Sequence, residues 1–519
     1  MRKKIILVEF HGWKPELIRH KILVKALKFK FGSDINVEAF ATYPHYFFEN
    51  FFKKLINNLK IYFVFLFSLK TFGIFKKEMK VNKIFYPNIN SKHIYKSKIF
   101  FKKFCKKKIS KKTIANLKIN GVFVGDILID SYLRNYYKPF IDVKDQQFLN
   151  FINSFFSLFF YWEDYFNKND IKAVIAVHPT YMTGLPARIA IYKNIKSLIT
   201  RGDKLFQLTK KNIRPSLHFK NYKRDFKKFN DDFKKKAISD ANLEMQKKFG
   251  GSKKYEHYIL KSPFSKKKTT KRVIKKSKKF KIIIFPLSFF DSPTGYGGAL
   301  FHDFYEWLVF VLKLSSKTNY DWYIKLHPDV LLKWDYLNYS IVKNLLKKYK
   351  NVNWIAPETP HNQIIKEGIN AALTIHGTVG SEYPYYNIPV VNASINNPHM
   401  NYGFNFNPKS KKELKRVILT LPKLKIKIKI KEILEFFFMH HMLPKYNWLE
   451  IDTTEILKKT RDLKDYYSNM NTYDLISQNI KENNILKSLR FFLNTDDYVL
   501  GRKYDKKTNY KNIGLEKLQ

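Results

Sequence analysis

The sequence predicts an α/β protein with two successive domains, each a parallel β-sheet covered by helices. The first reason is a repeated order of short apolar strand, loop and helix in both halves of the chain, which is typical of parallel sheets. The second reason is length, because 519 residues exceed one ordinary core and suit two domains of about 200 residues each. Hydrophobic residues make up 45% of the chain, enough for two cores.

The first half opens with a strand, a turn and a helix. Lys4–Glu9 is a short apolar strand, and Phe10-His11-Gly12 forms the turn. A helix is predicted from Pro15, a favourable first helical residue, to about residue 31, where Gly32 ends it. Further strands are predicted at 35–41, 171–177 and 197–200, and a long aromatic helix at 150–166.

The second half repeats this pattern. Strands are predicted at 281–287, 322–326, 353–355, 371–375 and 388–391, with a helix at 299–314. Residues 219–280 are polar and rich in lysine, which indicates a connection between domains. The predicted organisation is an N-terminal domain (1–220), a basic connecting segment (221–280), a second domain (281–425) and a helical, polar C-terminal extension (426–519).

The charge of the chain favours acidic partners. Lys and Arg number 97 against 43 Asp and Glu, a formal net charge of +54. Such an excess attracts nucleic acid, anionic lipid or phosphorylated substrates. The alternative is that most of these lysines only form a solvated surface.

Cysteine and hydropathy favour a cytoplasmic protein. Cys105 is the only cysteine, which excludes an intramolecular disulfide framework and fits a reducing compartment. The apolar run 61–75 is broken by Lys70 and is shorter than the ~20 residues that a membrane-spanning helix needs. The aromatic stretch Phe47–Phe75 is flanked by lysine, so it either packs in the interior or docks peripherally on an anionic membrane.

Unusual residues follow several of the predicted strands. They are His11, His178, a loop containing Gly297 and Gly298, the pair His327-Pro328, and the turn His376–Glu382. In an open α/β sheet, ligands bind beyond the carboxyl ends of the strands, so these residues are candidates for a binding site.

The turn His376–Glu382 has the chemistry of an anion site. Gly377 allows close approach of a ligand to the backbone, Thr378 and Ser381 offer hydroxyls, and a helix begins there. His327 could donate to a phosphate oxygen, and Gly297-Gly298 could cradle a phosphate or sugar. Each feature also fits an ordinary capped β–α turn.

Two segments resemble one family of enzymes. Tyr323-Ile-Lys-Leu-His-Pro-Asp329 and Leu373-Thr-Ile-His-Gly-Thr-Val-Gly-Ser-Glu-Tyr-Pro-Tyr-Tyr-Asn-Ile-Pro-Val-Val391 resemble the nucleotide-binding half of bacterial capsule-polysaccharide biosynthesis transferases. These enzymes have the GT-B fold, with two Rossmann-like domains facing across a cleft. Kdo transferases belong to the family, and GT-B sialyltransferases share the His-Pro and Ser/Thr motifs. The resemblance covers residues 281–400.

The resemblance implies transfer of a sugar from a nucleotide-activated donor, CMP-linked by preference, to a surface or capsular polysaccharide. His327, Thr378 and Ser381 would bind the nucleotide phosphate, and Glu382 would lie near the ribose. The nucleotide-binding set is completed by Lys325, Pro328, His376, Gly377, Gly297 and Gly298. No Asp-x-Asp motif is present, so we expect neither a metal nor another cofactor, and histidine, Lys325 and helix dipoles would stabilise the leaving phosphate.

The acceptor side of such an enzyme needs a carboxylate, because a sugar hydroxyl is a poor nucleophile until it loses its proton. Asp126, at a Gly-led turn, is the preferred catalytic base, and Glu9 is the second candidate. His11, Arg134 and His178 are candidates for binding the acceptor.

Two other functions remain open. A sugar 2-epimerase of the GT-B fold or a CDP-polyol phosphotransferase would use similar motifs. A non-enzymatic polyanion-binding protein would fit the charge, although no known nucleic-acid-binding motif is visible.

Overall fold

The computed structural model describes residues 3–41, 71–106, 108–201, 204–251, 271–331, 335–443 and 463–500, with residues 56, 59, 263–264, 448–449, 456 and 459–460. The chain forms two compact units. Unit 1 contains residues 1–135, 142–215 and 444–519, and unit 2 contains residues 136–141 and 216–443. Most of the aromatic stretch Phe47–Phe75 lies outside the described residues.

Every predicted strand is present, and further strands that were not predicted lie at 83–85, 118–119, 122–123, 204–208 and 499–500. The strands of unit 1 are β1 (Lys4–Glu9), β2 (Asn36–Phe40), β3 (Lys83–Phe85), β4 (Lys118–Ile119), β5 (Val122–Phe123), β6 (Asp170–Ala176), β7 (Lys196–Arg201) and β8 (Lys204–Leu208). Unit 2 supplies β9 (Lys281–Ile284), β10 (Asp321–Lys325), β11 (Val352–Ile355), β12 (Ala371–Thr374) and β13 (Val390–Asn392), and β14 (Val499–Leu500) returns to unit 1.

The α-helices of five or more described residues alternate with these strands. They are α1 (Lys14–Phe31), α2 (Ser91–Cys105), α3 (Lys111–Ala115), α4 (Gly125–Tyr136), α5 (Gln146–Lys168), α6 (Leu185–Tyr192), α7 (Tyr222–Lys227), α8 (Asp231–Phe249), α9 (Phe304–Ser315), α10 (Tyr336–Leu346), α11 (His361–Glu367), α12 (Val379–Tyr385), α13 (Lys411–Thr420), α14 (Ile430–Phe437), α15 (Leu463–Ser468), α16 (Met470–Gln478) and α17 (Glu482–Leu493).

Side-chain caps set several helix starts. Helix α9 begins at Phe304 and not at the predicted Ala299, because the Asp303 carboxylate accepts the Glu306 N–H at 2.7 Å and caps the helix. Ala299 is instead held in an isolated antiparallel bridge to Ser394. The residues between them therefore remain a loop beyond the end of β9.

The sheet of unit 1 has the order β14-β8-β7-β6-β1-β2-β3. Strands β3, β2, β1, β6 and β7 are parallel, whereas β8 and β14 add antiparallel strands at one edge. One face is covered by α1, which buries Leu17, Leu23 and Leu27 in a core shared with α16 and α17. The C-terminal residues thus complete the N-terminal unit.

The sheet of unit 2 is entirely parallel, with the order β11-β10-β9-β12-β13. Its chain runs outward from β9 to β11 on one side, then returns to place β12 and β13 on the other. Numbered in chain order this is 3-2-1-4-5, the first five strands of the doubly wound Rossmann sheet. Helix α9 packs on one face through Trp307, Leu308 and Val311.

The predicted fold class is confirmed: the protein is α/β, with two Rossmann-like units and a largely helical C-terminal segment. The units differ in extent from the predicted domains. Helix α8, from the predicted connecting segment, belongs to unit 2, and the predicted extension 426–519 is divided between the two units.

Candidate functional site

The candidate site of unit 2 lies where its strand order reverses, between β9 and β12. At such a point the loops after the two strands diverge and leave a crevice at the carboxyl edge of the sheet. The loops here are 285–303, which contains Gly297 and Gly298, and 375–378, which contains His376 and Thr378. Two of the predicted ligand-binding segments therefore meet at the reversal point.

His376 is at the centre of this crevice. Its ring lies 4.4 Å from the Tyr296 ring and 5.6 Å from the Phe304 ring, centroid to centroid. Burial lowers the pKa of His376 to about 3, so the imidazole is neutral. Among the described residues its buried Nδ1 has no hydrogen-bond partner. A ligand could satisfy this nitrogen as donor or acceptor, depending on the tautomer.

The glycine loop shapes the wall opposite His376. Gly297 and Gly298 have φ of 63° and 65°, which side chains rarely adopt. A Cβ on Gly298 would lie 2.8 Å from Nδ2 of Asn396, which itself donates to the Tyr296 carbonyl at 3.2 Å. The two glycines thus place Tyr296 against His376. Their role as a phosphate cradle stays a prediction.

The glycines of the 376–382 turn contact protein. A Cβ on Gly377 would meet Thr374 Oγ1 at 2.9 Å, and one on Gly380 would meet the His399 ring at 2.4 Å. Ser381 is buried and its hydroxyl donates to the Thr378 carbonyl at 3.1 Å. Thr378 is exposed, so of the two hydroxyls predicted to bind phosphate it is the accessible one.

Buried polar atoms between the two loops form a feature that sequence reasoning missed. Asn392 Oδ1, Ser394 Oγ, His399 Nδ1 and Asn405 Oδ1 are buried, and the part of the chain that the structure describes gives them no partner. Burial, with a smaller effect of His376, lowers the pKa of His399 to about 3. Such atoms are normally satisfied, so water or a ligand would be expected beside them.

Beneath the turn lies a cluster of buried charges. Glu382 is buried and pairs with Lys248 of α8 at 2.7 Å. Lys325 is also buried; burial lowers its pKa to about 8, and the carboxylates of Glu358 and Glu382 oppose this shift. The arrangement gives Glu382 and Lys325 internal partners, whereas the sequence predicted contacts with ribose and phosphate. Lys248 was not predicted, because a lysine in a lysine-rich segment carries no distinguishing signal.

His327 follows β10 at the same edge of the sheet. The strand β9 lies between β10 and β12, so the ends of β10 and β12 are two strand spacings, or ~10 Å, apart. His327 is exposed, and Pro328 begins a short 3₁₀ turn. Burial lowers the pKa of His361 strongly, with further contributions from Lys325, His327 and Lys248, which places His327 near the buried charges.

Unit 1 has its own reversal point, between β1 and β6. The residues there are Glu9, His11, Trp13 and His178. The Trp13 and His178 rings are 5.0 Å apart and nearly perpendicular. The structure therefore brings His11 and His178, two of the predicted acceptor-binding residues, to one crevice.

Glu9 is buried at this point and holds the β6 loop. Its Oε2 accepts the backbone N–H groups of Val177 at 2.6 Å and His178 at 3.4 Å. Burial raises the pKa of Glu9 to about 7, against the effect of these hydrogen bonds. A carboxyl group with this pKa can exchange a proton at neutral pH.

Both ring nitrogens of His11 are used within the protein. Nδ1 accepts the Trp13 N–H at 3.2 Å, and Nε2 lies 3.2 Å from Nδ1 of His20. Burial lowers the pKa of His11 to about 3, so the ring is neutral. This geometry supports a role in holding the loop, and not the predicted direct contact with an acceptor.

Asp126 is fixed by two arginines. Arg188 pairs with both its oxygens, at 2.9 and 3.0 Å, and Arg214 donates to Oδ2 at 2.9 Å. Burial would raise the pKa of Asp126, but the two guanidinium groups and its hydrogen bonds lower it below its ordinary value. A buried carboxylate held in this way is a weak base, which argues against the predicted catalytic role. Arg134 lies eight residues further, ~12 Å along α4.

The described residues contain neither a candidate metal cluster nor a candidate membrane-spanning helix. Within those ranges no group of three or more His, Cys, Asp or Glu could hold a metal ion. No described helix is both long and apolar enough to cross a bilayer.

Comparisons with known proteins give distant likenesses only. No family model matches the chain, and no curated protein matches it. A UDP-GlcNAc 2-epimerase from Neisseria meningitidis bound to UDP-GlcNAc is 11% identical, with 84% of this chain and 97% of that chain covered and a TM-score of 0.24. A glycosyltransferase from Rickettsia africae is 12% identical, with coverages of 92% and 99% and a TM-score of 0.27.

The ADP-heptose LPS heptosyltransferase II of E. coli is 10% identical, with 84% of this chain and 98% of that chain covered and a TM-score of 0.19. At these scores the likenesses carry no argument. The class of the protein rests on its own strand order and crevices.

Proposed function

We propose that the protein is a glycosyltransferase that takes a sugar from a nucleotide-activated donor. The observation that carries this proposal is the reversal point of unit 2, where neutral His376, with an unpartnered Nδ1, lies beside exposed Thr378. Ligands of open α/β sheets bind at such points. The resemblance of the His327 and His376–Glu382 segments to capsule-polysaccharide transferases favours a CMP-linked sugar.

In this proposal the nucleotide phosphate lies over the ends of β10 and β12. His327 donates to the phosphate oxygen that acquires charge as the bond to the sugar breaks, and Thr378 offers a second hydrogen bond. In this proposal the buried polar atoms of Asn392, Ser394 and His399, which the described residues leave without a partner, hydrogen-bond to the sugar hydroxyls directly or through ordered water. The buried Lys248–Glu382 pair positions the turn from below.

For the acceptor we propose Glu9 in place of Asp126 as the base. As the acceptor oxygen attacks the sugar carbon, the bond from that carbon to the phosphate oxygen breaks, the nucleotide leaves, and Glu9 takes the hydroxyl proton. A surface or capsular glycan is the proposed acceptor. The net charge of +54 supports peripheral contact with the inner face of the cytoplasmic membrane.

A nucleotide panel tests the proposal. We expect CMP to raise the melting temperature more than CDP or UDP. His327→Ala should slow release of CMP from a CMP-sugar by roughly 10²–10³, the usual effect of removing one donor to a leaving group, with little change in folding. Lys347→Ala is the control, because Lys347 is exposed at the C-terminal end of α10, on the opposite edge of the same sheet.

Other outcomes identify the other functions. Strongest protection by CDP would favour the phosphotransferase, and strongest protection by UDP would favour an epimerase. DNA binding at moderate salt with no effect of any nucleotide would replace the enzyme with a polyanion-binding protein.

A further inference from the structure

Trp13 differs from the other described tryptophans in its exposure. Trp162, Trp307, Trp322 and Trp448 are buried and Trp354 is partly buried, whereas 41% of the Trp13 surface is exposed. Trp13 precedes the first turn of α1, on the loop that follows β1 at the reversal point of unit 1. A large aromatic ring is thus presented where this class of sheet binds ligands.

A chain of hydrogen bonds fixes the backbone beneath this ring. The Trp13 N–H donates to His11 Nδ1, so the His11 proton is on Nε2, which donates to His20 Nδ1 at 3.2 Å. His20 therefore carries its own proton on Nε2 and donates to Thr200 Oγ1, also at 3.2 Å. His20 and Thr200 are fully buried, and Thr200 is in the central part of the sheet, in β7. The loop is therefore anchored.

Two further rings hold the indole from the sides. The His178 ring is 5.0 Å away at 88°, and the Tyr467 ring is 5.7 Å away at 52°. The loop that carries His178 is fixed by Glu9. Next to Trp13, a Cβ added to Gly12 would meet no described heavy atom within 4 Å, so the loop has open space beside it. The ring is positioned but not covered by the described residues.

We propose that Trp13 is the stacking platform for a pyranose ring of the acceptor glycan. This inference rests on the proposed transferase function and names the acceptor's chemistry. The C–H groups on one face of a pyranose pack on an indole, while polar groups nearby orient its hydroxyls. His178 and Glu9 supply those polar groups, and Glu9 is the proposed base. The acceptor sugar is therefore one with an apolar face, such as a galactoside.

Fluorine NMR of protein labelled with 5-fluorotryptophan tests the platform. Trp13→Tyr identifies the Trp13 resonance by its disappearance. Titration with methyl β-galactopyranoside at millimolar concentration should move that resonance saturably and leave the Trp162 and Trp307 resonances unchanged. Saturation-transfer signals of the sugar should persist in Trp13→Tyr, which keeps an aromatic face, and should fall at least tenfold in Trp13→Ala.

Controls separate this inference from the proposed function. A Trp13 resonance that does not respond to the sugar, while CMP still protects the protein, would reject the platform and leave the transferase standing. If the sugar moves the Trp13 resonance but no nucleotide protects the protein against heating, the donor site is rejected and the platform stands. A response to single-stranded oligothymidylate and none to sugar would assign the ring to nucleic acid and overturn the inference. Phe491→Ala, at an exposed ring elsewhere in unit 1, should leave the sugar signals as in wild type.

Discussion

At the scale of single residues, the charged partners of a buried carboxylate decide whether it can act as a base. Asp126 and Glu9 are both buried, but Asp126 has two arginine partners and Glu9 has only backbone N–H donors and the repulsion of Glu16. The pKa of Asp126 is therefore lowered and that of Glu9 raised to about 7. Of these two carboxylates, Glu9 is the one that has no arginine partner and lies at a crevice.

Replacing Glu9 should change both the activity and the pH dependence of stability. If Glu9 is the base, kcat/KM rises with pH and levels off above about pH 7. Glu9→Gln should lower kcat/KM by roughly 10²–10⁴ and remove this rise. A variant that keeps the wild-type profile would exclude Glu9 from catalysis. Arg214→Lys, which alters the Asp126 pair instead, should leave the apparent pKa near 7.

The stability effect has a definite sign. The folded carboxyl keeps its proton up to about pH 7, whereas the unfolded one loses it near 4.5. Its stabilising contribution is therefore full below pH 4.5 and is lost as pH rises to 7. One pKa unit corresponds to about 1.36 kcal/mol. Between pH 4.5 and pH 7, the unfolding free energy of wild type should therefore fall by about 3 kcal/mol relative to that of Glu9→Gln. Urea denaturation at the two ends measures it.

Sequence reasoning found residues that sit at the ends of strands, since position alone marks them. His178, His327 and His376 could be found in this way, and the structure places each at a carboxyl edge. Sequence reasoning could not show that both ring nitrogens of His11 are hydrogen-bonded within the protein, because His20 and Thr200 are distant from each other in sequence. Lys248 could not be predicted either, since only the fold pairs it with Glu382.

At the scale of elements, the 376–382 turn depends on one close contact. The Cβ of Gly380→Ala would lie 2.4 Å from Cε1 and 2.6 Å from Nδ1 of His399, so the ring or the turn must move. We expect a loss of about 1–3 kcal/mol of unfolding free energy and weaker CMP binding, because overpacking shifts the backbone. Calorimetry and nucleotide titration measure the two effects.

Gly12→Ala is the matched control, because its added Cβ meets nothing within 4 Å. If Gly380→Ala is as stable as this control and binds CMP as tightly as wild type, the His399 contact does not shape the site. The same comparison explains a limit of prediction from sequence. A glycine required by packing and one required by a ligand look identical until their neighbours are known.

At the scale of the whole molecule, the C-terminal helices belong to the core of unit 1. Leu489 of α17 is fully buried against the cluster that includes Leu17 and Leu23 of α1. Leu489→Ala should lower the unfolding free energy of unit 1 by about 2–5 kcal/mol, because removing a fully buried side chain leaves a cavity. Hydrogen exchange should then accelerate in β1 and β7 but not in β9 and β12.

Phe491→Ala on the same helix should change stability by at most about 0.5 kcal/mol, since the ring is 64% exposed. Equal acceleration of exchange in both units after Leu489→Ala would contradict the assignment of α17 to unit 1. The alternation of strands and helices was sufficient to predict the two sheets. It could not predict that the C-terminal helices pack on unit 1, because the pattern of an amphipathic helix does not identify the surface against which it packs.

The return of the C-terminal segment to unit 1, where β14 pairs with β8, affects the order of folding during synthesis. Unit 2 is almost continuous in sequence, and its last residues leave the ribosome before α15, α16, α17 and β14 exist. Domains generally fold as they emerge, beginning with the N-terminal one. Here the order is reversed: the middle of the nascent chain can finish folding first. The part of helix α1 that packs against α16 and α17 stays uncovered until those helices have been translated. We therefore expect chaperones to bind the N-terminal half of the nascent chain.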